Sequence, residues 1–157
     1  MSVTRKEQYL AFLPFFEAEY KRYSALTQRA TTFLGLTSII VLFGGVNIGK
    51  HCDYFWSWLF SVATAASVVL AVLGSLASLW MRSYRDICDV EELVVTIDKN
   101  SYQEEDIYSI LLAEMANATR HNRAVNTSRA HWLDFSATCF ALAIVFVAAT
   151  SVTSANE

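Results

Sequence analysis

Three long stretches without a single charge dictate what this chain can become. Residues 31–49, TTFLGLTSIIVLFGGVNIG, hold nineteen positions with no Asp, Glu, Lys or Arg. A helix of that length rises about 28 Å, close to the ~30 Å hydrocarbon layer of a bilayer. Residues 54–81 form a second uncharged run, longer than the ~20 residues a perpendicular crossing needs, so it must tilt or project into water. Projection at the cytoplasmic end is the expectation. The third run, 135–156, starts directly after Asp134 and is most apolar over 140–149; together with Trp132 at its edge it places a third span at 132–153. Since lipid leaves no solvent partner for backbone N–H and C=O groups, these runs predict an all-α membrane protein with three transmembrane helices.

Composition narrows the functions available. Hydrophobic residues make up 54% and charged residues 17% of the chain, against roughly 25% charged in soluble domains. A chain of 157 residues is about one domain, which leaves no room for a catalytic module beside the spans. The net charge of -3 offers no basic surface for neutralising phosphates, so direct nucleic-acid binding is not expected. Cys52, Cys88 and Cys139 lie far apart without CxxC or Cys/His ligand spacing, and neither a disulfide framework, a metal site nor a cofactor is indicated. The N-terminus lacks the apolar core and cleavage site of a secretory signal, so insertion through the first span without cleavage is expected.

Trp56 and Trp58 open the second run, Trp80 closes it and Trp132 precedes the third. Tryptophan favours the headgroup level, where the ring is in an apolar layer and its N–H meets water. Eleven of the twelve cations precede the first run or lie between the second and third; Lys50 is the exception. Positive charge stays on the cytoplasmic side, which predicts a cytoplasmic N-terminus and an outside C-terminus in a bacterial inner membrane.

The polar parts read as helices. Over residues 1–30, Pro14 suits the first turn of a helix, and Phe15, Phe16, Tyr20, Tyr23 and Leu26 cluster along one side. This amphipathic N-terminal helix either lies in the membrane interface or packs on the segment 82–131. That segment has no glycine or proline and reads as a cytoplasmic helical hairpin. Its first arm carries Ile87, Val90, Val94 and Ile97; LVVTI at 93–97 would also suit a short strand, for which no partner is apparent. The turn falls near Lys99 and Asn100. A capping box at Ser101 and Glu104 then starts a second arm striped with Ile107, Ile110, Leu111, Met115 and Ala118, which continues into the third span.

Candidate chemistry concentrates in residues 117–134. Asn122, Asn126 and Arg129 share one helical face, with Asn117, Arg123, His131 and Asp134 nearby. One account is a juxtamembrane helix whose Arg120, Arg123 and Arg129 meet anionic headgroups. The other is a polar ring facing a vestibule, or a pocket for a small anionic ligand, in a homo-oligomer. Asp134, at the mouth of the span, is a functional candidate that can alternatively snorkel or pair with Arg129 or His131. An arginine and histidine here invite comparison with HEPN-type RNases, but Arg123 and His131 have seven residues between them and Arg129 and His131 one, outside that signature. With no Walker loop, nucleophile elbow or metal cluster, an enzyme is not expected. In the second run Ala63, Ser67, Ala71 and Ser75 recur every fourth residue, with Gly74 and Ser78 as another pair. Such rows let helices approach closely, within one chain or between subunits, and subunit contact is the expectation if the protein conducts.

An amphipathic helix ending in Arg29-Ala-Thr-Thr, a close pair of spans, and an Asn/Arg-rich helix leading into a further span resemble the small bacterial membrane effectors of nucleotide-signalled and CRISPR-associated antiphage defence, including SLATT-type proteins. The third span goes beyond the two-span SLATT pattern. The resemblance implies an oligomer that permeabilises or depolarises the inner membrane when a signal or partner engages its cytoplasmic part. A non-conducting anchor that recruits a cytoplasmic protein is the alternative.

Overall fold

The computed structural model describes residues 4–48, 55–81, 85 and 102–155; the side chains at 43–48, 57 and 153–155 lie outside the description. Three helices make up nearly all of it: α1 (Arg5–Ile48), α2 (Phe55–Trp80) and α3 (Glu104–Ala155). Each is long and apolar enough to cross a membrane. The expected first hairpin arm, its turn near Lys99 and Asn100, the alternative strand at 93–97 and the loop around Lys50 all lie outside the described residues.

α1 starts earlier than Pro14 suggests. Thr4 and Glu7 form a reciprocal capping box: the Thr4 N–H donates to Glu7 Oε2 at 2.9 Å, and the Glu7 N–H donates to Thr4 Oγ1 at 3.4 Å. These bonds satisfy groups that a helix start otherwise leaves open. Pro14 therefore sits inside the helix rather than in its first turn. There it cannot donate to the Leu10 carbonyl, but both residues are exposed, so water can take up the lost bond. Replacing Pro14 with alanine is expected to stabilise α1 by about 1–3 kcal/mol, seen as a higher thermal midpoint by circular dichroism in mild detergent; an unchanged midpoint would show that the proline costs nothing here.

No boundary separates the N-terminal helix from the first apolar run. Nothing between Pro14 and Gly35 breaks a helix, and the hydroxyls of Thr31 and Thr32 fold back onto the Gln28 carbonyl at 2.9 Å. The second expected arm and the third apolar run are likewise one helix of 52 residues. Its acidic start, Glu104, Glu105 and Asp106, suits the positive end of the helix dipole. Glu104 is the first helical residue rather than the third, with the Gln103 carbonyl accepting the N–H groups of Asp106 and Ile107; Ser101 lies outside the described residues.

Burial follows a seven-residue period. On α3 the inward positions are Met115, Asn122, Arg129, Ser136 and Ala143, all at most 1% exposed. On α1 the partly or fully buried positions include Tyr9, Phe16, Tyr23, Ala30 and Thr37; on α2, Ser61, Val68 and Ser75 alternate with Thr64, Ala71 and Ser78. A 3.5-residue repeat is the signature of coiled-coil packing.

The chain divides into two units. The first, Met1–Ala25 with Arg82–Thr127, sets the N-terminal part of α1 beside the start of α3. Tyr9 meets Tyr108 at 5.7 Å between ring centres, and Lys6 lies 3.5 Å from Glu104 and 5.8 Å from the Tyr108 ring. The second, Leu26–Met81 with Ser128–Glu157, is a three-helix bundle in which α1 and α3 run parallel. Leu26 and Leu133 share a core cluster with Ala30, and one heptad on Phe33 meets Phe140 edge to face. α2 runs antiparallel to α3: Ser75 bonds Ser136 while Phe60 stacks on Phe146.

Candidate functional site

Residues 117–134 divide by helical face. Asn122 and Asn126 are buried in the first unit and Arg129 in the second, whereas Asn117, Arg123, His131 and Asp134 are exposed. The heptad period explains the division, because only every third or fourth position turns inward.

In the first unit the two asparagines each grip backbone. Asn122 Oδ1 accepts the Arg85 N–H at 2.8 Å and its Nδ2 donates to the Arg85 carbonyl at 2.9 Å. A side-chain amide thus pairs with one residue of main chain as a neighbouring strand would. Asn126 Nδ2 donates both to the Glu19 carbonyl and to Glu19 Oε2, at 3.0 Å each. Its Oδ1 is buried without a hydrogen-bond partner. The Glu19 carboxylate is 3.9 Å from both Arg22 and Arg123. Arg123 is largely exposed, so that pair contributes at most about 1 kcal/mol. Arg85 adds a second surface pair with Glu114 at 3.5 Å.

The second unit contains a buried cation. Arg129 is 1% exposed. Its Nε donates to the Ser78 carbonyl and its Nη2 to Thr27 Oγ1, both at 2.8 Å. Ser78 lies in the last turn of α2, where carbonyls have no partner within the helix and the dipole favours positive charge. Arg129 therefore caps α2 while tying α1 to α3. The Ser78 hydroxyl is fully buried and makes no hydrogen bond, a cost of about 1–3 kcal/mol that close packing alone does not require.

The small residues of α2 face inward in this same bundle. Ser67, Ala71, Gly74, Ser75 and Ser78 are buried and Ala63 is half-buried. At Gly74 a Cβ would lie 3.1 Å from the Trp132 carbonyl oxygen and 3.2 Å from Phe135 and Ser136. Ser136 donates to the Ala71 carbonyl at 2.7 Å, so the 2.8 Å bond between its Oγ and Ser75 must be donated by Ser75. Of the two contacts such a row allows, within one chain or between subunits, the row is here occupied within the chain. On the outer side, Trp56, Trp58 and Trp132 are exposed and Trp80 is 89% exposed. From Trp56 to Trp80 the helix rises about 36 Å, the hydrocarbon layer plus part of each headgroup region. An open groove of about 400 Å³, lined by Leu34, Thr37, Ser38, Val41, Leu42 and Val72, completes the apolar exterior.

No family model, curated protein or solved structure matches this chain. Ser136 and Thr27, which the sequence reading passed over, join the site. An inward hydroxyl seven residues beyond Arg129 was the available signal, and it was masked by the apolar residues around it.

Proposed function

We propose that this protein is an oligomeric effector of a bacterial inner membrane that forms a pore or depolarises the membrane, in antiphage defence, gated through its cytoplasmic helices. The observation that carries this reading is Arg129, a guanidinium buried in a bundle of helices apolar enough to cross a membrane. Ionisable groups in such surroundings are costly and are kept for function. Seven buried hydroxyl side chains share the bundle with it, whereas a bundle built only to anchor could use alanine. The distribution of Lys and Arg supports a cytoplasmic N-terminus and an outside C-terminus. Three helices enclose no lumen, so conduction calls for several copies. With the small row of α2 turned inward, the outward apolar face of that helix, Val62, Val69, Leu73 and Leu76, is the better subunit contact. A potential-sensitive dye in cells expressing the chain, read beside mass photometry of detergent-solubilised particles, tests the proposal. Depolarisation and a ring-sized particle are expected; an unchanged potential with a monomer would sink it.

A second reading has its own support. Leu10, Phe12 and Phe15 are exposed on the first unit, and an apolar patch beside charged residues is typical of a protein-binding surface. On that reading the protein is a non-conducting anchor for a cytoplasmic partner. A stoichiometric partner that co-purifies with the wild type and is lost from a Phe12→Ser, Phe15→Ser variant, with membrane potential intact, would favour it.

A further inference from the structure

Three polar side chains of α3 hold main chain rather than side chains. In the second unit Ser136 donates to the Ala71 carbonyl at 2.7 Å and Arg129 to the Ser78 carbonyl at 2.8 Å. In the first unit Asn122 accepts the Arg85 N–H at 2.8 Å and donates to the Arg85 carbonyl at 2.9 Å. Positions 136, 129 and 122 face 71, 78 and 85, a step of one heptad on both sides, so Asn122 carries the pattern past the end of α2 at Trp80. The Asn122 contact differs from the other two. Ser136 and Arg129 are fully buried among apolar neighbours, whereas Arg85 is exposed and lies outside the described helices, so water can replace Asn122 on both of its main-chain groups. The Arg85 side chain adds a half-exposed pair with Glu114 at 3.5 Å.

α2 also differs from its neighbours in where it ends. α1 and α3 each pass from the first unit into the second within one unbroken helix, while α2 lies wholly in the second. A rearrangement that keeps all three helices whole therefore shifts α2 against α1 and α3.

Resting on the pore reading above, we propose that α2 is the element that moves on gating and that Asn122 is its latch. While both hydrogen bonds to Arg85 hold, α2 stays in the closed position; when they exchange for water, α2 shifts. Two bonds made and broken together, each modest against water, give the two discrete states that a latch needs. The outward face of α2 is the contact between copies on that reading, so its shift repacks the interface where a path between subunits opens.

Full-length protein in vesicles of phosphatidylethanolamine and phosphatidylglycerol tests the latch, with a potassium diffusion potential set by valinomycin and read by a potential-sensitive dye. The wild type should dissipate the potential slowly and Asn122→Ala at least about tenfold faster, as expected when two such bonds leave the closed state. Glu114→Gln, on the exposed side of the clasp, should raise the rate by less. Asn122→Asp carries the sharper readout. An ionised carboxylate accepts the Arg85 N–H but cannot donate to the carbonyl, whereas the protonated acid restores both bonds. Burial and the facing carbonyl favour the neutral acid, so this variant should be fast at pH 8 and slow at pH 5. Asn122→Ala should be fast and the wild type slow at both values, which sets aside titration of the neighbouring His121. Circular dichroism with unchanged helix content separates a released latch from a fold that has come apart. If the wild type leaks and neither Asn122 variant differs from it, the latch falls and the pore stands. If all three hold the potential at both pH values, both fall.

Discussion

Gly74→Leu is expected to break the contact between α2 and α3 in the second unit, lowering its stability by more than about 3 kcal/mol. The reason is the nature of the obstacle. A Cβ at Gly74 would already be 3.1 Å from the Trp132 carbonyl, and a backbone oxygen inside a helix cannot swing aside as a side chain can. Three further carbons have nowhere to go, because Phe135 and Ser136 close the same space. Gly74→Ala is a finer test of the balance. Alanine gains about 1 kcal/mol over glycine in helix propensity, while one over-tight methyl costs about 1–2 kcal/mol, so the net change should stay within ~1 kcal/mol. Gly35 provides the control, since its surroundings are open and Gly35→Leu should leave the thermal midpoint unchanged or raised. Midpoints from near-ultraviolet circular dichroism in mild detergent decide it. Equal losses for leucine at the two glycines would mean that Gly74 marks no close approach.

Three long apolar helices were legible because lipid imposes one requirement, length without charge, and α2 at Phe55–Trp80 falls within the expected 54–81. Helix starts were less legible. The first turn is the preferred place for proline, but the capping box at Thr4 and Glu7 starts the helix well before Pro14. Composition changes between residues 30 and 31, but the backbone of α1 responds to local breakers and not to polarity, and the helix runs through. Hydrophobic periodicity could not reveal the heptads of α3, because Asn122, Arg129 and Ser136 occupy inward positions that the pattern assumes to be apolar.

The candidate site was half legible for a related reason. Helical spacing placed Asn122, Asn126 and Arg129 on one face, which is how they lie on α3. Spacing has no sign, however: it states that residues share a face and not whether that face turns toward another helix of the same chain or outward. The partners supply the sign. Asn122 takes both main-chain bonds of Arg85, and Asn126 takes Glu19. Asn117, Arg123, His131 and Asp134 are exposed on the opposite side of the helix. A ring drawn from all seven would need α3 to present opposite faces to one axis.

Arg129→Ala should destabilise the second unit by about 3–5 kcal/mol, whereas Arg129→Met should stay within ~1.5 kcal/mol of the wild type. Two bonds from a charged donor, to the Ser78 carbonyl and Thr27 Oγ1, each stabilise by about 1.5–3 kcal/mol. Removing a guanidinium from water costs several kcal/mol, so those gains are largely offset. What remains is volume. Arg129 ranks among the largest fully buried side chains; alanine leaves a cavity where α1, α2 and α3 meet, and methionine refills most of it with a flexible apolar chain. Tryptophan fluorescence during chemical unfolding in detergent measures both. If methionine loses as much as alanine, the hydrogen bonds and not the packing hold the helices. If it keeps the fold but abolishes the depolarisation of expressing cells, the buried charge is retained for conduction, since stability alone would favour its replacement.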